Sequence, residues 1–124
     1  MRSVSRVLIA DDSAPLRRAL VDRLRSMDGF EVVGEARDGD EAVRLASLRR
    51  PEILLLDVQM PTMNGLDALR AVRKEAPDVR VVMLTNHADS VYRRACLSAG
   101  AADFLDKTRD MDRLDVILQQ VDPK

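Results

Sequence analysis

The stretch Ile53-Leu54-Leu55-Leu56-Asp57 places four consecutive aliphatic residues directly before a carboxylate. A short run that is apolar on both sides is typical of a central strand in a parallel sheet, which helices cover on both faces. A carboxylate at the end of such a strand needs a partner that offsets the loss of water. The stretch therefore predicts an α/β fold and a polar site where this strand ends.

Similar aliphatic runs occur along the whole chain and alternate with amphipathic stretches. The runs cover residues 7–10, 30–33, 79–84 and 104–105. Between them, apolar residues recur at helical spacing, as Leu16, Leu20 and Leu24 do in the first stretch. Asp38 and Asn64, each followed three residues later by an acid, predict the starts of the second and third helices.

Five strands alternating with five helices predict parallel βαβ units with right-handed crossovers. We expect a doubly wound sheet with strand order 2-1-3-4-5, which binds its ligands beyond the carboxyl ends of the strands. The length of 124 residues fits one domain, and we assign residues 1–124 to it.

Composition narrows the classes of function. The chain has 20 basic and 21 acidic residues, a balance that gives no electrostatic case for binding nucleic acid or a membrane. Its single cysteine, Cys96, excludes an internal disulfide, and we expect it to be buried. No apolar run approaches the length of a membrane span, and no signal peptide is evident, so we expect a soluble, cytoplasmic protein.

The residues at the predicted carboxyl ends of the strands are the candidates for function. Asp11 and Asp12 follow the first strand, Asp57 the third, Thr85 ends the fourth, and Lys107 follows the fifth. Each has an ordinary explanation, since Asp12 could cap the first helix and a single lysine is usually solvated. Their convergence on one edge of the sheet favours a functional site.

The chemistry of this set is coherent. Clustered carboxylates repel one another unless a cation joins them, and oxygen ligands with water suit Mg²⁺. A carboxylate such as Asp57 can act as a nucleophile toward phosphorus. Phosphoryl transfer depends on positioning and on neutralising charge, for which Mg²⁺ and Lys107 are suited, while Thr85 can donate a hydrogen bond.

Several spaced motifs carry a family resemblance. They are Asp11-Asp12, Asp57-Val58-Gln59-Met60-Pro61-Thr62-Met63-Asn64-Gly65, Met83-Leu84-Thr85 and Ala99-Gly100-Ala101-Ala102-Asp103-Phe104-Leu105-Asp106-Lys107. Together they resemble the receiver domains of response regulators, the CheY-like family of two-component signal transduction. The resemblance covers nearly the whole chain and implies a flavodoxin-like (βα)5 fold.

The resemblance implies roles by position. Asp57 would accept the phosphoryl group from a histidine kinase or a histidine phosphotransfer protein. Asp12, Asp57 and the backbone carbonyl of Gln59 would bind Mg²⁺, with Asp11 helping through water. The chain would then be a phosphorylation switch that catalyses only its own Mg²⁺-dependent phosphorylation and dephosphorylation.

Thr85 and Phe104 occupy the switch positions of the family. Turning of both side chains would reshape the face formed by helix 4, strand 5 and helix 5, which a downstream protein, a fused output domain or a second copy would recognise. The chain would accordingly be a monomer or a phosphorylation-dependent homodimer. His87, two residues past Thr85, could obstruct attacking water, although an ordinary loop histidine is the simpler interpretation.

Related receivers dock their phosphodonor through helix 1 and the loop after strand 5. The outward positions here are expected to be Ala14, Arg18 and Val21, beside Thr108. Thr108 also marks a departure, because the family often has a proline joined by a cis bond after the lysine. A cis bond before threonine costs roughly 2.5–4 kcal/mol, so we expect a trans bond and a differently shaped loop.

Two other classes deserve comparison. A phosphatase of the haloacid-dehalogenase type would carry a second acid two residues after the nucleophile, where this chain has Gln59, which cannot take a proton from water. A flavin-binding module would need stacking aromatic residues and a phosphate loop where Asp11 and Asp12 stand. Within the favoured class, the sequence leaves open a stand-alone regulator, toward which we lean, or the receiver of a longer transcriptional regulator.

Overall fold

The computed structural model describes residues 4–86 and 90–123, with only the backbone described for residues 90 and 91. The strands are β1 (Ser5–Ala10), β2 (Phe30–Ala36), β3 (Ile53–Asp57), β4 (Arg80–Thr85) and β5 (Asp103–Asp106). The helices are α1 (Ala14–Arg25), α2 (Gly39–Arg49), α3 (Gly65–Glu75), α4 (Ser90–Ser98) and α5 (Leu114–Val121), the last preceded by a short 3₁₀ turn (Met111–Arg113).

The strands form one parallel sheet in the order β2-β1-β3-β4-β5, which confirms the predicted doubly wound α/β fold. The third strand is central, and the order of strands reverses between β1 and β3. The carboxyl ends of these two neighbouring strands therefore open a crevice at the switch point.

Alternation along the strands divides the core between the two faces of the sheet. Every residue of β3 is buried, as the opening aliphatic run predicted. Leu54 and Leu56 pack with α2, α3 and α4, while Ile53 and Leu55 pack with α1 and α5. Cys96 lies fully buried in the first of these clusters, which confirms its expected placement.

Side-chain caps fix where the helices begin. Asp38 Oδ1 accepts a hydrogen bond from Glu41 N at 2.8 Å, and Asn64 Oδ1 accepts one from Asp67 N at 2.9 Å, so both predicted caps are confirmed. The suggestion that Asp12 caps the first helix is wrong, because Ser13 occupies that position and accepts from Leu16 N.

The junction between β3 and α3 is unusually close. A Cβ atom on Gly65 would lie 2.4 Å from the carbonyl oxygen of Asp57 and 2.6 Å from Val58 Cα. Only glycine permits this approach, and it brings α3 directly against the end of the strand that carries Asp57.

Within the described residues, no helix combines the length and apolarity needed to cross a bilayer.

Candidate functional site

The five residues predicted on one edge of the sheet do converge. They line a single pocket of about 340 Å³ at the carboxyl ends of β1, β3, β4 and β5. The lining comprises Asp11, Asp12, Ser13, Leu16, Asp57, Gln59, Thr85, Asn86 and Lys107. The topology thus brings together side chains that lie up to about a hundred positions apart in the sequence, because parallel strands end at the same edge.

Lys107 joins two of the acids. Its Nζ lies 2.6 Å from Asp11 Oδ2 and 3.1 Å from Asp57 Oδ2, with 6% of the lysine side chain exposed. The sequence placed Lys107 opposite Asp57 but gave no indication of the shorter contact with Asp11. The ammonium therefore offsets the repulsion between two buried carboxylates, a task that the sequence had assigned to a metal ion.

Asp11 is the most deeply buried acid of the site, with no exposed surface. Its Oδ1 accepts a hydrogen bond from Ser13 N at 2.8 Å. Its Oδ2 has the close contact with Lys107 but no hydrogen-bonding geometry with any described residue. The Lys107 ammonium is therefore the partner that compensates the buried charge of Asp11.

Asp11, Asp12 and Asp57 together offer three oxygen atoms that all lie within 4.8 Å of one another. Asp12 is exposed and lines the pocket, whereas the other two are buried. Gln59 lines the same pocket and its backbone N–H donates to Asp57 Oδ1 at 3.2 Å. All-oxygen ligands with one solvent-facing member suit Mg²⁺, which retains several of its waters.

Burial dominates the ionisation of Asp57, of which 4% is exposed. Loss of solvation raises the pKa of Asp57 from 3.8 to about 6, and the negative charge of Asp11 adds to the rise. The Lys107 charge and the Gln59 N–H oppose it. The carboxylate is therefore held in a state that a further positive charge in the pocket would stabilise.

The two residues predicted as a switch, Thr85 and Phe104, are both buried but have different surroundings. Thr85 is 6% exposed, lines the pocket, and its carbonyl accepts from Lys107 N at 2.7 Å. Phe104 does not line the pocket: it is 3% exposed and packs in the cluster beneath α2, α3 and α4 that also contains Cys96. His87 lies outside the described residues.

Asp106, which precedes the lysine and is 5% exposed, was not predicted from the sequence to contribute to the site. Its Oδ1 accepts from Thr108 Oγ1 at 2.6 Å, from Thr108 N at 2.7 Å and from Arg109 N at 3.1 Å. The spacing of an Asp and a Thr two residues later is a signal for such a turn. As expected for Thr108, no cis peptide bond occurs in the described chain.

Arg17 is a second residue near the site that the sequence did not predict. Its Nη1 donates to the carbonyl oxygen of Asp11 at 2.7 Å, and its Nε donates to Glu35 Oε1 at 3.3 Å. The first helix thereby holds the end of β1, where the deepest acid of the site is attached.

The expected outward face of α1 needs one correction. Ala14 and Arg18 are exposed, as predicted. The placement of Val21 was wrong, because it is 6% exposed and packs in the cluster between the sheet and α5. Its burial follows from the helical period, which puts it next to Leu20 and Leu24 on the side facing the core.

The family is defined by comparison with known proteins. The model of the response regulator receiver domain matches residues 7–119, so the chain belongs to that family. It is 48% identical over 105 residues to a protein-glutamate methylesterase/protein-glutamine glutaminase of Pyrococcus abyssi, covering 82% of this chain and 28% of the relative. It is 31% identical over 116 residues to the response regulator GacA of Pseudomonas aeruginosa, covering 94% of this chain and 54% of the relative.

A solved structure is similar in the same way. The response regulator domain of Thermotoga maritima CheB superposes with a TM-score of 0.86 at 33% identity, covering 95% of this chain and 93% of that one. The chain therefore spans about a third to a half of the full-length relatives named here but nearly all of an isolated receiver domain. None of the proteins named here supports the phosphatase alternative.

Proposed function

We propose that this chain is a phosphoacceptor that receives a phosphoryl group on Asp57 from a histidine kinase or a histidine phosphotransfer protein. The observation that carries the proposal is the Lys107 ammonium, 3.1 Å from Asp57 and 2.6 Å from Asp11 in one pocket. The buried carboxylate supplies the nucleophile, and the buried ammonium beside it compensates the incoming negative charge.

In the proposed reaction, a carboxylate oxygen of Asp57 forms a bond to phosphorus while the phosphorus–nitrogen bond of the donor breaks. The electron pair of that bond stays on the departing nitrogen, which takes a proton from solvent. Lys107 would neutralise phosphoryl oxygens, and Thr85 would donate a hydrogen bond to another. The result is a phosphorylation switch rather than an enzyme that turns over a separate substrate.

The residues of the pocket fit a divalent cation, because oxygen atoms of three carboxylates converge within 4.8 Å of one another. Asp12, Asp57 and the Gln59 carbonyl would hold Mg²⁺, with Asp11 acting through water. When bound, Mg²⁺ supplies positive charge that neutralises the transferring phosphoryl group. Lys107 then no longer has to offset both buried acids and is available to the phosphoryl oxygens.

The direct test uses a small phosphodonor. Incubation with phosphoramidate and Mg²⁺ should add one phosphoryl group, measured by intact mass, and Asp57→Asn should abolish it. Asp40→Asn, which changes an exposed acid on α2, is the matched control and should label as the unmodified chain does. Equal labelling of Asp57→Asn would contradict the assignment.

We infer that phosphorylation is transmitted through Thr85 and Phe104 to the face formed by α4, β5 and α5, where an output partner or a second copy binds. Phe104 has no hydroxyl, so packing alone fixes its buried position, and some active-like molecules should exist beforehand. Amide NMR with beryllofluoride should show shifts from Asp57 to α4. Thr85→Ala should confine them to the pocket, and shifts that still reach α4 would contradict the coupling.

The exposed residues Ala14 and Arg18 on α1, with Thr108, form the proposed docking surface for the phosphodonor. Arg18→Glu should slow transfer from the cognate kinase without changing labelling by phosphoramidate. Arg80→Glu, at the opposite end of the sheet, is the control for a general change in charge. Equal slowing by both variants would exclude a specific role for α1.

A further inference from the structure

The loop after β5 is organised by one carboxylate. Asp106 Oδ1 accepts three hydrogen bonds, two from Thr108 and one from Arg109 N, at 2.6 to 3.1 Å. Its other oxygen lies 3.5 Å from Arg109 Nε. Asp110 completes the arrangement, because its Oδ2 accepts from Asp106 N and its own N–H donates to Asp106 O, both at 2.9 Å.

These contacts fix the backbone of Lys107 from both sides. Before it, the N–H of Lys107 itself donates to the carbonyl oxygen of Thr85 at 2.7 Å. After it, the N–H groups of Thr108 and Arg109 are both held by Asp106 Oδ1. A proline at position 108 would lack the first of these donors, so this loop uses a side chain of its own to make the turn.

The position of the Lys107 side chain depends on the hydrogen bonds that hold the backbone on either side of it. Its side chain has several rotatable bonds, and ordering it beside two acids costs conformational entropy unless its attachment point is already fixed. The side chain reaches two targets at once, at 2.6 and 3.1 Å, which leaves little tolerance for movement of the backbone. The group that holds the loop therefore also decides where the ammonium lies.

We infer that Asp106 is a positioning residue for Lys107: its carboxylate shapes the β5–α5 loop so that the ammonium is delivered to Asp11 and Asp57. Asp106 does not line the pocket, so it would act through the lysine alone. The inference rests on the proposed function, since the consequence of correct delivery is the rate at which Asp57 is phosphorylated.

A double-mutant cycle tests this. Phosphorylation by phosphoramidate at saturating Mg²⁺ is measured for Asp106→Ala, Lys107→Ala and the double variant. Asp106→Ala should be slowed at least about tenfold, because misplacing a reacting group by about 1 Å can cost roughly a hundredfold. The double variant should be no slower than Lys107→Ala, because the lysine through which Asp106 acts is already gone. Asp106→Asn retains the accepting oxygen and should restore most of the rate.

Other outcomes would overturn the inference. A rate for Asp106→Ala equal to that of the unmodified chain, or a double variant slowed tenfold beyond Lys107→Ala, would show that Asp106 does not act through the lysine. Should Asp106→Ala fail to fold, Thr108→Val removes only the 2.6 Å bond. It should slow phosphorylation about threefold, in keeping with one lost hydrogen bond, and only when Lys107 is present.

Failure of the proposed function would look different. If Asp57→Asn is labelled at the full rate, Asp57 is not the phosphoacceptor. If Lys107→Ala is labelled at the full rate, Lys107 takes no part in the reaction. Either result would contradict the proposed function, whatever the effect of changing Asp106. Loss of labelling in Asp57→Asn and slower labelling in Lys107→Ala, combined with an unchanged rate in Asp106→Ala, would leave the function standing and reject the positioning role alone.

Discussion

Two acids at the same edge of the sheet, Asp57 at the end of β3 and Asp106 at the end of β5, are nearly equally buried, at 4% and 5% exposed. Their ionisation is shifted in opposite directions. The pKa of Asp57 is raised to about 6 by burial and by the charge of Asp11. The pKa of Asp106 is lowered to about 2 by hydrogen bonds from the side chain and backbone of Thr108, assisted by Arg109.

The two shifts have different main causes, because burial raises the pKa of Asp57 whereas hydrogen bonds lower that of Asp106. Asp106 has its charge satisfied by three donors on a single oxygen and is suited to holding a loop. Asp57 receives one backbone hydrogen bond and shares one ammonium with a second acid. The incompletely compensated group is the one that we propose as metal ligand and phosphoacceptor.

The largest effect is expected from removing the shared cation. Lys107→Met should lower the free energy of unfolding by about 3 kcal/mol at about pH 7, because it leaves two buried carboxylates without their partner. The loss should shrink at about pH 5, where Asp57 becomes protonated. Urea unfolding at both values checks this, with Lys74→Met on exposed α3 surface as the control. A pH-independent loss would contradict the electrostatic explanation.

Next in size is the effect of the raised pKa itself. A folded-state pKa of about 6 against 3.8 unfolded makes ionised Asp57 destabilising. The penalty is absent below about pH 4, grows between about pH 4 and 6, and is fully present above. Asp57→Asn should therefore raise the free energy of unfolding by about 2 kcal/mol at about pH 8 and by much less at about pH 4. If urea unfolding gives the same difference in free energy of unfolding between Asp57→Asn and the unmodified chain at every pH in that range, the prediction is refuted.

Magnesium should act on the Asp57 side of the comparison only. At a concentration ten times its dissociation constant, Mg²⁺ should stabilise the chain by about 1.4 kcal/mol. Asp12→Ala should lose most of this response, whereas Asp106→Asn should keep it. Thermal unfolding with and without Mg²⁺ measures the difference. An equal response in Asp12→Ala would place the cation elsewhere.

The smallest pH-dependent effect is expected for Asp106. Its folded-state pKa lies below the unfolded one, so its stabilising charge is fully present above about pH 4 and is lost as the pH falls through about 2. The difference in stability between the unmodified chain and Asp106→Asn should accordingly stay constant between about pH 5 and 8. Urea unfolding across that window would contradict this if the difference changed with pH.

The strand order, the placement of the candidate residues and the caps of two helices could all be predicted from the sequence. Alternating apolar runs leave a chain of this length few ways to bury both faces of a parallel sheet. Parallel strands end at one edge, so Asp11, Asp57, Thr85 and Lys107 had to meet there. Local hydrogen-bonding spacing was equally sufficient for Asp38 and Asn64.

The contacts among those charged residues could not be predicted from the sequence. Lys107 contacts Asp11 more closely than Asp57, and Ser13 rather than Asp12 caps α1. Both facts depend on distances between elements, which sequence spacing does not set. The burial of Val21 and the opposite ionisation of Asp57 and Asp106 have the same origin. Burial and the distance to charged partners shift a pKa over a few ångströms. Side-chain packing sets distances on that scale, whereas the strand order does not.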